Sequence, residues 1–374
     1  MVSGHCHHGE GQEGCVNDCG IWCTVLRQGS SVSPAALTLR VPDPDRDLVG
    51  VRLVQDVRIA GRLLDFRRGG DGDWILMIPR PPVNRMEYLL ELRHVDGSSE
   101  IGIDVANPLW VPGAFGLKSV LEFPGYRPPA WLTAAAEPGV TRTIDLPVRS
   151  LGMPISVLTW APADTPEDEP LPLLLVHDGP EFDALASLTR YLAAGIAGQW
   201  LPRLRAALLD PGPRDRWYSA NSSYAQALRR TVIPALSARM PSSSRIGMGA
   251  SLGAVAMLHA HCRYPAALDA LFLQSASFFA PRVDSHERRF PYYRRITAFV
   301  ADVRAGRLPG RPIPVVLTCG AIEENAPNNR IMTRVLRDHG YDATLHEVAD
   351  VHNYTAWRDC FDPHLTRLLR RTCS

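Results

Sequence analysis

The sequence predicts a two-domain chain, a small all-β domain followed by a larger α/β domain built on a mostly parallel sheet. Three observations carry this expectation. At 374 residues the chain is longer than one compact domain usually needs. From about Ser33 to Val105, short apolar runs are separated by turn chemistry. After Gly139, buried runs alternate with amphipathic stretches of helical length, the pattern of a parallel sheet covered by helices.

The first domain is read from Ala36–Val41, Val49–Leu53, Trp74–Ile78, Met86–Leu92 and Glu100–Val105 as strands, with Pro42-Asp43-Pro44-Asp45, the Arg68–Asp73 segment, Arg80-Pro81-Pro82 and Asp96-Gly97 as turns. It is expected over residues 33–106 as a β-sandwich. Residues 107–138 are rich in Pro and Gly and are expected to form an extended linker. The α/β domain is expected over residues 139–374. Its central strands are predicted at Leu171–Val176, Leu204–Leu209, Arg245–Met248, Ala270–Gln274, Pro314–Cys319 and Ala343–Val348. Helices are predicted near Asp183–Ile196, Ser222–Met240, Leu252–Cys262, Tyr292–Arg304, Asn328–His339 and Asp362–Arg371.

Composition narrows the class of function. With 40 basic and 39 acidic residues the formal charge is +1, so no global field draws the chain to nucleic acid or an anionic membrane. No apolar run approaches the roughly 20 residues of a membrane helix, and a cytoplasmic location is the expectation. Of the 8 cysteines, Cys6, Cys15, Cys19 and Cys23 crowd the N-terminus, near His5, His7 and His8. They lack the C-x-x-C pairing of common zinc modules, so residues 1–32 are expected to be a disordered leader and no metal site is assigned.

The sharpest chemical signal is Gly249-Ala250-Ser251-Leu252-Gly253, a G-x-S-x-G sequence between a predicted strand and a predicted helix. A turn that tight lifts its serine to the helix N-terminus, where backbone N–H groups can stabilise an oxyanion. Serine is a weak nucleophile unless a histidine takes its proton and an acid orients that histidine. In this strand-to-helix setting the partners follow in the order Ser, acid, His. The turn after the Cys319 strand offers Glu323 and Glu324, with Glu323 preferred. The turn after the Val348 strand offers His352, with Asp350 as a further carboxylate too close in sequence to reach back. His259, His261, His346 and His364 lie within predicted helices or strands and are read as structural.

These residues also carry a family resemblance. From about Leu171 onward the chain resembles the enterochelin esterase group of α/β-hydrolases, which is related to feruloyl esterases and mycobacterial mycolyltransferases. The landmarks are Val176-His177-Asp178-Gly179, Asp210 with Arg214 and Asn221, the Gly249–Gly253 turn, Gly320-x-x-Glu323, and His352 followed by Trp357-Arg358. Phe115-Gly116, Ser119-Val120 and Pro124-Gly125-Tyr126 are similar to the N-terminal region of that group. The resemblance implies an immunoglobulin-like sandwich before an α/β-hydrolase domain, and hydrolysis of an ester, in the named family that of a ferric siderophore. It also implies an oxyanion hole from the N–H of Leu252 and one from the Asp178-Gly179 loop, Gly179 being the candidate.

Two departures qualify it. Pro180, which has no N–H, stands where relatives often offer one, and Trp217 stands where the siderophore esterases tend to carry glutamate. Arg214, Arg216 and Trp217 are candidates for holding an anionic or aromatic substrate. The expected function is thus a cofactor-independent serine esterase acting on a small-molecule ester through Ser251, His352 and Glu323. An acyltransferase using the same triad and a non-catalytic glycan-binding protein are the competing readings. Oligomeric state is not readable.

Overall fold

The computed structural model describes residues 31–373 apart from Pro34 and Pro309. The expected leader therefore lies almost wholly outside the described residues, although its last two, Ser31 and Val32, pair as a short strand with Leu37 and Thr38. Contacts divide the chain into two units, the first ending at Tyr126 and the second running from Arg127, with Gly113–Phe115 assigned to the second.

The N-terminal unit contains two antiparallel sheets, one 4-stranded and one 5-stranded. Strand Ala36–Val41 pairs with Trp74–Pro79, and Leu48–Gln55 with Arg85–His94. Period-2 burial explains why these segments are strands. Leu37, Leu39 and Val41 point inward, as do Trp74, Leu76 and Ile78, while the residues between them are more exposed.

The predicted linker is corrected here. Trp110–Gly113 and Gly116–Glu122 are strands of the 5-stranded sheet, and the second pairs with Arg85–Tyr88. Pro and Gly composition excludes helix but not an edge strand, and Val120 and Leu121 are apolar enough to bury. Asn107 reinforces the join by donating to the carbonyl of Val120 at 2.8 Å.

The second unit carries an 8-stranded sheet. We label its strands β1 (Gly139–Leu146), β2 (Ile155–Pro162), β3 (Leu171–His177), β4 (Arg205–Leu209), β5 (Ser242–Ala250), β6 (Ala270–Gln274), β7 (Pro314–Gly320) and β8 (Asp342–Val348). Their spatial order is β1-β2-β4-β3-β5-β6-β7-β8, antiparallel at β1/β2 and β2/β4 and parallel everywhere else. The β1–β2 hairpin was not among the predicted strands. Most of β1 is solvent-exposed, so it shows no run of apolar residues.

β3 is buried along its whole length, with Leu173 and Leu175 in one core and Leu174 and Val176 in the other. Such two-faced burial is what a central parallel strand requires. Chain order reverses across β3, because β4 lies on one side of it and β5 on the other. In open α/β sheets ligands bind in the crevice at the carboxyl ends of strands around such a point.

Helix bounds differ from prediction where the backbone breaks. The helix expected over Asp183–Ile196 is two, Gly179–Ala186 and Leu188–Ala197, split at Ser187 with φ 53°. Among the described residues no helix is long and apolar enough to cross a membrane.

Candidate active site

Ser251 occupies the turn between β5 and the helix Leu252–Arg263, with φ 55° and ψ −122°. A non-glycine residue in such a conformation costs on the order of 1–3 kcal/mol, so its surroundings must impose it. They do so from both sides. The Ser251 N–H donates to the carbonyl of Gln274 at 2.9 Å, and its own carbonyl accepts from Ser277 N at 3.3 Å. Strand and helix cross so closely that a Cβ on Gly249 would sit 2.6 Å from the carbonyl carbon of Gly253. Gly249 is therefore a packing requirement of the motif, while a Cβ on Gly253 would press on His177 Cβ at 3.1 Å.

Glu323 and His352 meet although 29 residues separate them. The turn after β7 presents Glu323 and the turn after β8 presents His352, and Glu323 Oε2 lies 2.7 Å from His352 Nδ1. The Glu323 carboxylate is buried and accepts further bonds from Ser275 Oγ at 2.7 Å, Cys319 Sγ at 3.0 Å and the Gly320 N–H. Burial pushes its pKa up, but the hydrogen bonds and the charge interaction with His352 outweigh burial and hold it below the usual carboxylate value. Trp357 packs edge-on to the His352 ring with centroids 5.0 Å apart, and its Nε1 donates to Ser275 Oγ at 2.9 Å.

Of the alternative acids, Glu324 points to solvent and bonds His286, while Asp350 accepts from its neighbours Val351 N and Asn353 Nδ2. Ser251 Oγ bonds Ser277 Oγ at 3.0 Å and makes no hydrogen bond with His352.

Gly179 and Leu252 each stand at the first position of a helix, where an N–H has no intrahelical acceptor. Pro180 occupies the first turn after Gly179, a position that tolerates a missing N–H. A Cβ on Gly179 would lie 2.3 Å from Leu208 Cα, so only glycine fits against β4.

Between these two loops lies His177, which is completely buried. Its Nδ1 is 2.8 Å from the Gly253 carbonyl and its Nε2 is 3.0 Å from Tyr224 Oη. Since a carbonyl can only accept, Nδ1 carries the proton and Nε2 accepts from the tyrosine. Burial drives the His177 pKa down to about 4, so the ring is neutral. The ring also stacks on Tyr218, whose hydroxyl accepts from Asp178 N at 3.3 Å.

The expected substrate contacts fare differently. Trp217 is 2% exposed, stacks on Tyr224 and fills the space over Gly212, so it belongs to the core and offers no face to a ligand. Arg214 is committed to Asp178 through two bonds, Nε to Oδ1 at 2.7 Å and Nη2 to Oδ2 at 2.8 Å. Arg216 is exposed.

The four histidines read as structural from the sequence make contacts away from Ser251. His259 meets Phe299 edge-on, His261 bonds the Arg311 carbonyl, and His346 stacks on His364. Sequence reasoning missed Ser275 and Ser277, which bond Glu323 and Ser251. The signal was their position directly after β6, the strand between those carrying Ser251 and Glu323.

No protein-family model matches this chain, and no curated protein matches it. Solved structures do. A ferric enterobactin esterase from Salmonella typhimurium superposes with a TM-score of 0.73 at 17% identity, covering 96% of this chain and 96% of that one. The enterobactin esterase of Shigella flexneri, crystallised in the presence of enterobactin, gives 0.72 at 18% identity over 91% of this chain and 95% of that chain. A ferulic acid esterase gives 0.51 at 14% identity, covering 62% of this chain and 98% of the other. The chain has the α/β fold of the enterobactin esterases.

Proposed function

We propose that this chain is a serine carboxylic-ester hydrolase. Ser251 attacks the ester carbonyl, His352 takes its proton and later delivers it to the leaving alcohol, and Glu323 holds the imidazole. The N–H groups of Leu252 and Gly179 stabilise the oxyanion, and water then releases the acyl group. The observation that carries the reading is the 2.7 Å bond between Glu323 Oε2 and His352 Nδ1. An anionic Glu323 fixes the proton on Nδ1, which leaves the Nε2 lone pair as the base. In the resting site Ser251 Oγ turns to Ser277, and in catalysis it rotates to the imidazole.

The likeness to enterobactin esterases supports a ferric siderophore ester as the substrate class. It also supports the narrower reading of the N-terminal unit as an immunoglobulin-like sandwich, which its two antiparallel sheets suit. The chemistry calls for no cofactor.

The test is intact-mass analysis after exposure to a fluorophosphonate. One adduct on the wild type and none on Ser251→Ala is the expected result. No adduct on folded wild type would overturn the reading in favour of a binding protein.

A further inference from the structure

A cluster of side chains of metal-ligand type lies outside the Ser251, His352 and Glu323 arrangement. His286 and Glu287 belong to the short 3-10 helix Ser285–Arg289, and Glu324 belongs to the turn that carries Glu323. His286 Nε2 is 3.2 Å from Glu324 Oε2 and 3.8 Å from Glu287 Oε1. One donor atom from each of the three residues lies within 4.8 Å of the other two. A tetrahedral divalent ion with bonds of about 2.0–2.2 Å holds its donors about 3.3–3.6 Å apart. Small side-chain rotations therefore suffice to close the three donors around one ion.

The donor set has a definite chemical character. One imidazole with two carboxylates suits a divalent transition-metal cation. Two carboxylates share this small space, and a dication relieves their repulsion more fully than one imidazole does. The His286 and Glu324 side chains are 50% and 49% exposed, so a bound ion keeps water in its remaining positions.

The frame behind the donors is fixed. Asp284 is buried at the head of the 3-10 helix, with Asn328 Nδ2 2.8 Å from both carboxylate oxygens and Ala280 N donating at 2.7 Å. On the other side, Glu323 N donates to the Gly320 carbonyl and Ala326 N to the Glu323 carbonyl, which holds the turn that presents Glu324.

We propose that His286, Glu287 and Glu324 form a divalent transition-metal site that ties the 285–289 segment to the turn bearing Glu323. The proposal stands independently of the esterase reading.

Metal-stripped full chain, His286→Ala and Glu324→Gln are to be titrated with Zn2+ by calorimetry. Zn2+ taken up anywhere else on the chain is common to all three proteins, so the readout is the equivalent that the variants lack. The expected result is one equivalent lost, or weakened at least about tenfold, in each variant. Zn2+ should also raise the thermal midpoint of the wild type more than that of either variant. Co2+ should give the wild type weak visible bands of nitrogen and oxygen ligation, absent from the variants, beside any thiolate charge-transfer band. Equal Zn2+ stoichiometry and affinity in all three proteins overturns the site, as does Co2+ absorption of thiolate type alone. Both substituted side chains are half-exposed, and matching metal-free melting curves verify that the variants fold.

Discussion

His177 donates from Nδ1 to the carbonyl of Gly253, and this bond joins the end of β3 to the first turn of the helix that follows Ser251. One buried ring thus spaces the two loops whose N–H groups, Gly179 and Leu252, would face an oxyanion. Replacing His177 by alanine removes one hydrogen-bond partner from the Gly253 carbonyl and one from the Tyr224 hydroxyl, and leaves a cavity against Tyr218. The expected loss of stability is about 3 kcal/mol, measured by urea unfolding. Fluorophosphonate labelling should slow by more than the unfolded fraction accounts for. A variant that labels at the wild-type rate would separate this ring from the geometry of Ser251.

The same burial gives a signed pH dependence. Unfolded, the imidazole of His177 titrates near 6.5, and folded it titrates at about 4. Between those values the unfolded chain binds more protons, so stability rises with pH and is lost as pH falls from about 6.5 towards 4. For a fully buried ring the loss is on the order of 3 kcal/mol across that window. His259, driven to about 4 by burial, acts in the same direction. Glu323 acts lower. Its depressed pKa contributes stability that is present above the unfolded value of about 4.5 and goes as pH falls through the folded one. Urea midpoints at pH 7.5, 6 and 5 should therefore fall steadily. A flat profile over that range contradicts neutral burial of His177.

Glu323 holds His352 Nδ1 and is itself held by Ser275, Cys319 and Gly320. In Glu323→Gln the amide can donate to Nδ1, which reverses the tautomer and places the proton on the nitrogen that should act as base. The expected drop in ester turnover is about 10³–10⁴-fold with the fold intact. Ser275→Ala keeps the carboxylate and removes one of its donors, so a loss of only about tenfold is expected. Steady-state hydrolysis of an activated ester, beside a melting curve for each variant, checks both. Equal losses in the two variants would mean that Ser275 holds the turn rather than the charge.

The parts of the site legible in the sequence share one property. Ser251 follows directly on β5, and Glu323 and His352 lie in the turns within four residues of the ends of β7 and β8, so the order of strands pointed to them before any contact was known. Trp217 was misread because a tryptophan beside two arginines looks the same whether its ring faces solvent or the core. Only Tyr224 and Gly212, brought against it by the fold, decide for the core. β1 was missed because its burial is confined largely to Leu146. The break at Ser187 has no local signal, since serine carries no intrinsic preference for positive φ.

Two glycines make the final contrast, because they need glycine for different reasons. Gly179 would place a Cβ 2.3 Å from the backbone of Leu208, in the layer where the first turn of a helix lies against β4. Backbone cannot rotate away as a side chain can, so Gly179→Ala has to push the helix off the sheet, and with it the N–H assigned to the oxyanion. Gly97 lies in the turn between two strands of the N-terminal unit with φ 84° and nothing within 4 Å of its would-be Cβ. Alanine there meets conformational strain alone, about 1 kcal/mol. The expected outcome is that Gly97→Ala folds with a slightly lower urea midpoint and unchanged labelling. Gly179→Ala should lose at least about 3 kcal/mol and, in whatever fraction folds, label far more slowly. Comparable midpoints for the two variants would show that the helix yields to a methyl group, and the close approach at Leu208 would then not be what requires glycine after Asp178.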